Sequence, residues 1–409
     1  MTSLLRLLGE DPRQLVIQYT DRCNAHCPQC GMRVTERFER SVLPKQTVMR
    51  ILEAAARRGV QSVSFTGGEP LLYLGELAEL VSYARSAGIR YTRTGTNGSP
   101  FLRPEGGRGG LARIAETLAK SGLYTFWISL DSSCAAVHDS LRGFPGLTDA
   151  VAAAVPVLHE HGVYPSANLS INRGLAGKPP PPVAAPVEFY EFFKEAFGRL
   201  YERAIEMGFT LANTCYPMSL ANGDGGRLSA VYAAASRTPL VSFSSEEKAL
   251  IFRALFETIA VYRSKIRIFS PRSALYALMR QYTVGPEYCF PCRGGVDFFF
   301  VDAKGGDTYP CGFRGNENLG KFWDLKEAKG ETPSCRRCDW ECFRDPSELA
   351  GPLLSFKKMP LRFLRRAVED RAYMRLWLED LRYFRACGLF DCGRPPDYRA
   401  LARFQAGGA

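Results

Sequence analysis

The chain has 409 residues, 46% of them apolar and 23% charged, with a formal net charge of +11. That balance excludes a disordered chain, and no apolar run reaches the roughly 18 residues of a membrane-spanning helix. The positive excess suits an anionic partner or a lipid surface, but arginines scattered along the whole chain also describe an ordinary solvated exterior.

The opening MTSLLRLLGE lacks the long apolar stretch of a secretory signal. A cytoplasmic protein is therefore expected, with no nucleic-acid partner and no transmembrane segment. In that setting 13 cysteines point to metal ligation rather than disulfides. Eight of them fall between residues 289 and 392.

Strand and helix patterns alternate from residue 14. QLVIQYT (14–20) predicts a buried strand, 45–59 an amphipathic helix and VQSVSFTGG (60–68) a second strand. Helices over 76–88, 110–122, 147–162 and 187–208 alternate with strands over 89–98, 124–132, 164–172 and 209–214. Six such units imply a parallel α/β sheet, either doubly wound or a partial barrel, and periodicity does not separate the two. Breaks fall at 103–110, at the proline run 174–186 and at 222–227. A helix is predicted over 245–265. Beyond about 285 the chain turns to cysteines, glycines and short aromatic strands, then to an Arg-aromatic helix over 361–386.

Directly after the first strand, DRCNAHCPQC sets Cys23, Cys27 and Cys30 in a C-x3-C-x2-C array. One loop with that spacing can wrap one metal centre. Structural zinc asks for four protein ligands, no fourth cysteine is near, and His26 reads as a loop residue. A 4Fe–4S cluster on three thiolates keeps one iron open for a substrate or cofactor. Later strand ends add SFTGGEP with Gly67, Gly68 and Glu69, TGTNG with Thr96 and Asn97, and ISLDS with Ser129 and Asp131, then HDSLRG (138–143). Glycines allow close backbone approach, and Glu69 offers a carboxylate to an ammonium group. Singly these are turns and helix caps; in series at successive strand ends they mark a site.

CNAHCPQC, TGGEP, TNG and SLDS followed by HDSLRG resemble, in order and interval, the radical S-adenosylmethionine (SAM) enzymes. The resemblance covers about residues 12–215. It implies a partial (β/α)6 TIM-type barrel, with Cys23, Cys27 and Cys30 holding a 4Fe–4S cluster whose open iron chelates the amino and carboxylate groups of SAM. It further implies that Gly67, Gly68 and Glu69 lie along the methionine amino group and that Ser129 contacts SAM. Thr96, Asn97 and Asp131 join them as cofactor-site candidates, with Asn168, Asn172 and Arg173 for the carboxylate or ribose. Relatives often carry an aromatic residue before the third cysteine, against adenine; here Gln29 stands there, and Met32 is a candidate to cover the base instead. The chemistry implied is one-electron cleavage of SAM to methionine and a 5′-deoxyadenosyl radical, which abstracts hydrogen from a substrate carbon.

The second array runs Cys289-x2-Cys292, Cys311, then Cys335-x2-Cys338-x3-Cys342, with Gly306 five residues before Cys311 and a hairpin predicted through DAKGGDTY. A zinc ribbon is one reading. The region also resembles the SPASM and twitch extensions of radical SAM enzymes, a small cysteine-rich β-hairpin and helical module that holds auxiliary 4Fe–4S clusters. The resemblance implies one auxiliary cluster, or two if Cys387 and Cys392 join. Cys134 and Cys215 read as core or lining residues. The domains expected are 1–280 for the core, 281–350 for the auxiliary module and 351–409 for a helical extension. A peptide or protein substrate is expected, with a small metabolite or lipid precursor as the alternative and an iron–sulfur electron carrier without radical chemistry as the remote one. A reductant such as flavodoxin or ferredoxin is the implied partner, and peripheral membrane contact is compatible with the basic tail.

Overall fold

The structure is a computed structural model and describes residues 12–30, 39–217, 238–326, 332–358 and 360–405. The predicted break at 222–227 lies outside these. Among the described residues nine strands form one sheet: β1 Gln14–Thr20, β2 Ser62–Gly67, β3 Tyr91–Thr96, β4 Thr125–Leu130, β5 Ser166–Ser170, β6 Leu211–Cys215, β7 Arg267–Ile268, β8 Phe298–Val301 and β9 Thr308–Tyr309. The helices between them are α1 Lys45–Arg57, α2 Leu74–Ser86, α3 Arg108–Ser121, α4 Ala135–Arg142, α5 Leu147–Glu160, α6 Pro186–Glu206, α7 Ser245–Tyr262 and α8 Arg272–Thr283. After the sheet come α9 Glu341–Lys358, α10 Pro360–Glu369, α11 Arg371–Ala386 and α12 Tyr398–Ala402.

From β1 to β7 each strand is the parallel neighbour of the next. A doubly wound sheet reverses its strand order at a switch point; this order never reverses. With right-handed crossovers an unreversed order sends every connecting helix to the same face. The sheet therefore curls as a partial barrel, open at its edges, and the alternative that periodicity left standing is decided.

Side chains alternate accordingly. Leu15, Ile17, Tyr19, Phe65, Phe126, Ile128, Leu130, Ala167, Leu169 and Ala212 join the main apolar core with Val48, Ile51 and Leu52 of α1. The intervening positions, Thr66, Gly95, Trp127, Ser129, Asn168, Ser170 and Cys215, line a cavity on the other face. Polar residues at every second position of buried parallel strands give the barrel a hydrophilic lumen.

The predicted hairpin is present as β8 and β9, but β8 also pairs in parallel with β1, from Gln14 opposite Phe298 to Ile17 opposite Val301. The cysteine-rich region thus extends the barrel sheet. Phe298 and Phe300 pack against Phe343 and Trp340, beside Val16 of β1. The helix predicted over 361–386 is two helices. Asp370 interrupts it because its carboxylate accepts the Tyr373 N–H at 3.2 Å and caps α11.

Gly67 sits where the β1–β2 register slips, at φ 143° opposite Thr20. A Cβ there would lie 1.8 Å from the Thr20 carbonyl oxygen, a backbone atom that cannot step aside. Gly67→Ala is expected to destabilise the protein by about 2 kcal/mol or more, read as a lowered urea midpoint at unchanged slope.

Candidate active site

The cysteine loop leaves β1 and is held by the end of β2. Gly68 N–H donates to Thr20 O at 2.8 Å, and Glu69 N–H donates to Arg22 O at 2.9 Å. A side chain on Gly68 would meet Arg22 O at 2.0 Å, so only glycine lets the two segments touch. Cys23, Cys27 and Cys30 all line the lumen cavity, together with Gly67, Gly68, Thr96, Asn97, Ser129 and Asn168. The structure thus brings together most of the side chains that sequence placed at strand ends.

Burial pushes the Cys27 thiol up to about 12, with Arg142 pulling against it, and raises Cys23 as well. Thiolates here need compensating donors, and they have them. The Ala25 N–H reaches Cys23 Sγ at 3.4 Å and Asn97 Nδ2 reaches it at 3.7 Å. Arg142 Nη1 stands 4.0 Å from Cys27 Sγ. Three thiols, two N–H donors and a guanidinium around one polar cavity suit an anionic iron–sulfur cluster.

Arg142 is itself held by Asp131, through Nε to Oδ2 at 2.5 Å and Nη2 to Oδ1 at 2.8 Å. Burial alone would raise the Asp131 carboxyl, but Arg142 overrides it and holds the group well below the usual carboxylate range. Gln29, which lines the cavity, donates through Nε2 to Asp131 Oδ2 at 3.0 Å, while its buried Oε1 has no partner among the described residues. Met32 lies outside the described residues. Arg142 was not assigned by sequence reasoning although it stands in the HDSLRG motif, and Trp127 and Ser170, which line the cavity, were not singled out either. Trp127 is defined by its neighbour: a Cβ on Gly95 would fall 1.8 Å from its Nε1.

Four candidates are placed differently from expectation. Glu69 is fully buried; its carboxylate accepts the N–H groups of Leu71 at 3.0 Å and Asn97 at 2.6 Å, and burial pushes it up to about 7. Asp131 supports Arg142 and does not line the cavity. Asn172 Nδ2 donates to Asp131 O at 2.7 Å. Arg173 is committed to Glu247 at 2.8 Å, to the carbonyls of Pro239 and Ser242, and to the Phe243 ring. Cys134 is exposed just before α4, neither core nor lining; Cys215 does line the cavity.

The distal cysteines divide into groups. Cys292, Cys311, Cys335 and Cys338 surround the aromatic cluster on β8 and feel one another's charge. Cys292 N–H donates to Cys335 O at 2.7 Å. Backbone N–H groups of Gly294, Phe313, Arg314 and Trp340 point at the sulfurs of Cys292, Cys311 and Cys338. Cys289 instead donates to Ala277 O and Gln281 Oε1, both at 3.2 Å, beside Tyr373 and Trp377. Cys342 also packs against the aromatic cluster but sits with Glu341, Arg93 and Asp345, near Cys215. Cys387 and Cys392 lie at the other end of the strands: Cys392 N–H donates to Tyr124 O at 2.9 Å and its O accepts from Tyr164 at 2.7 Å. Fully buried Arg344 stands among Cys289, Cys292 and Cys338 with its Nε unpartnered, a positive charge suited to a cluster of thiolates. Among the described residues no three such ligands are drawn around a point where one ion would sit; a cubane is held differently, each thiolate taking its own iron.

Strand-end cysteines, glycines and polar groups of the barrel thus meet in one lumen. Residues 17–173 match the family model described as Radical SAM superfamily. Among curated relatives, the AdoMet-dependent heme synthase of Methanosarcina barkeri is 24% identical over 370 residues, 85% of this chain and 90% of that protein. The PqqA peptide cyclase of Gluconobacter oxydans is 28% identical over 166 residues, 41% of this chain and less than half of that protein, at 43%. Among solved structures, native anSMEcpe with bound AdoMet and Cp18Cys peptide superposes with a TM-score of 0.50 at 14% identity, covering 90% of this chain and 99% of that one. That likeness is one of fold.

Removing Arg142 strands a fully buried carboxylate. Arg142→Leu is expected to cost about 3 kcal/mol at pH 7. The folded-state pKa of Asp131 lies below its unfolded value, so the stabilisation is complete above about pH 4 and is lost as pH falls further. The gap between variant and wild type should therefore narrow on acidification, measured as urea midpoints of the metal-free proteins at neutral and acid pH.

Proposed function

We propose that the protein cleaves S-adenosylmethionine reductively at a 4Fe–4S cluster on Cys23, Cys27 and Cys30, and abstracts hydrogen from a substrate held in the barrel lumen. The observation that carries this reading is the convergence of the three thiols with Thr66, Gly68, Asn97, Ser129 and Asn168 on one cavity. When bound, the cluster and SAM supply a 5′-deoxyadenosyl radical. The chain's own work is positional. Gly67 and Gly68 keep the β2 end flush against the cysteine loop and expose its backbone to the SAM amino group. Arg142, fixed by Asp131, balances cluster charge beside Cys27. Ser129 and Asn168, on adjacent strands, face the same cavity and are suited to hold the nucleoside or the substrate. Burial in the lumen excludes water and stray hydrogen donors from a reactive carbon radical.

One auxiliary 4Fe–4S cluster on Cys292, Cys311, Cys335 and Cys338 accompanies it in this reading. Cys289 and Cys342 are then neighbours of that cluster rather than ligands, and Cys387 and Cys392 are packing residues. The proposed substrate is a peptide or protein side chain, with a flavodoxin or ferredoxin as reductant and the cytoplasm as the compartment. Among the described residues no helix is long and apolar enough to cross a membrane. A second reading, a small metabolite as substrate, is favoured by the heme synthase relative, whose similarity extends over 85% of this chain.

Anaerobically reconstituted and reduced protein is expected to form 5′-deoxyadenosine from SAM, detected by chromatography, while Cys27→Ala forms none. Absence of nucleoside from the loaded wild type overturns the reading. For cluster count, a variant with Cys23, Cys27 and Cys30 all changed to Ala should retain about four irons per chain. Adding Cys335→Ala and Cys338→Ala should abolish them, whereas adding Cys387→Ala and Cys392→Ala should not.

A further inference from the structure

The C-terminal helices carry a surface that the lumen chemistry does not use. Besides Ala372, the exposed positions on α11 are Arg371, Arg375, Leu378, Arg382 and Arg385. Steps of four, three, four and three residues put them on one helical stripe about 21 Å long. Three acids of this segment, Asp370, Glu379 and Asp380, turn the other way, while Glu369 at the end of α10 is exposed. Asp370 pairs with Arg280 at 2.6 Å, Glu379 binds Arg263 and Arg272, and Asp380 accepts the N–H groups of Arg272 and Ser273. None of the four stripe arginines makes an ion pair with a described residue. The stripe is thus four uncompensated positive charges.

On the helices before it, large apolar side chains stand in solvent: Phe356 near the end of α9 is 53% exposed, and on α10 Leu361 is 81%, Leu364 55% and Val368 65% exposed. Leu361, Leu364 and Val368 follow the i, i+3, i+7 spacing of one helix face. The opposite side of α10 is anchored, since Arg366 stacks on Phe290 and donates to Tyr288 O at 2.6 Å. The apolar ridge therefore faces outward while its helix is fixed to the body, and it ends three residues before the first stripe arginine.

We infer that α10 and α11 dock the enzyme on an anionic lipid surface, with the Leu361–Leu364–Val368 ridge entering the interface and the arginine stripe meeting lipid phosphates and carboxylates. Exposed leucines beside uncompensated arginines are the composition of helices that lie in a bilayer interface. An acidic peptide would satisfy the charge as well. Yet side chains as exposed as Leu361 and Val368 project as a ridge and do not line a groove, and a ridge suits a deformable planar partner better than an extended chain.

The test uses the full chain with its clusters loaded. In vesicle flotation the protein should rise with phosphatidylcholine vesicles containing phosphatidylserine and stay behind with phosphatidylcholine alone. Two double variants, Leu361→Glu with Leu364→Glu and Arg375→Glu with Arg382→Glu, should each weaken binding by about ten-fold or more. Both pairs are exposed, and unchanged circular dichroism and iron content establish that they fold. Equal flotation with both lipids, undiminished binding by either variant, or no flotation with phosphatidylserine overturns the inference. So does binding of poly-glutamate by a chain that ignores both vesicle types.

Discussion

The contact on which the rest depends is the backbone-to-backbone approach of Gly67 and Gly68 to Thr20 and Arg22. Two N–H donations, Gly68 to Thr20 and Glu69 to Arg22, carry the β1–β2 pairing past the last regular strand residue and into the cysteine loop. Any Cβ at either glycine would occupy the space of a carbonyl. Because that loop is pinned at its root, Cys23 emerges toward the lumen instead of folding back over the sheet edge. The same glycines leave bare backbone facing the cavity, where a cofactor can approach closely.

A second layer of order comes from buried charge. Asp131 has no access to solvent, yet it stays ionised because Arg142 supplies a two-point partner and Gln29 a further donor. The strand end of β4, helix α4 and the cysteine loop are thereby tied to one carboxylate. Buried ion pairs add little net stability but penalise every arrangement that separates them. Here the penalty falls on misplacement of the loop that carries the thiols. Gln29, in place of an aromatic residue, is part of this network, which gives its identity a reason independent of adenine packing.

The C-terminal module is coupled to the barrel through the sheet itself. Parallel pairing of β8 with β1 means that the strand leading to Cys23 and the strand leading toward Cys311 share hydrogen bonds. Gln14 on β1 also donates to the Cys342 carbonyl at 2.9 Å. The two cysteine arrays are built on adjacent strands of one rigid element, which fixes their separation more firmly than a linker would.

Local chemistry was legible in the sequence because it is written in short segments. The C-x3-C-x2-C array, the glycine pair after β2 and the polar residues closing β3 and β4 are each set within a few residues, and strand–helix alternation follows from side-chain periodicity. What depends on contacts between distant segments was not legible. Glu69 and Arg173 carry the right groups for cofactor binding, but backbone N–H donors claim the first and Glu247 claims the second. Arg142 gained its place beside Cys27 only through Asp131, and Cys289 was separated from Cys292 by the packing of α8 and α11. Barrel rather than open wound sheet was legible only through the family resemblance, since strand order is not encoded in the period of any one strand. Sequence by itself determined the ligand types and the parallel α/β class; the tertiary structure decided which of those ligands share a cavity, because convergence is a property of strand order and packing, not of spacing along the chain.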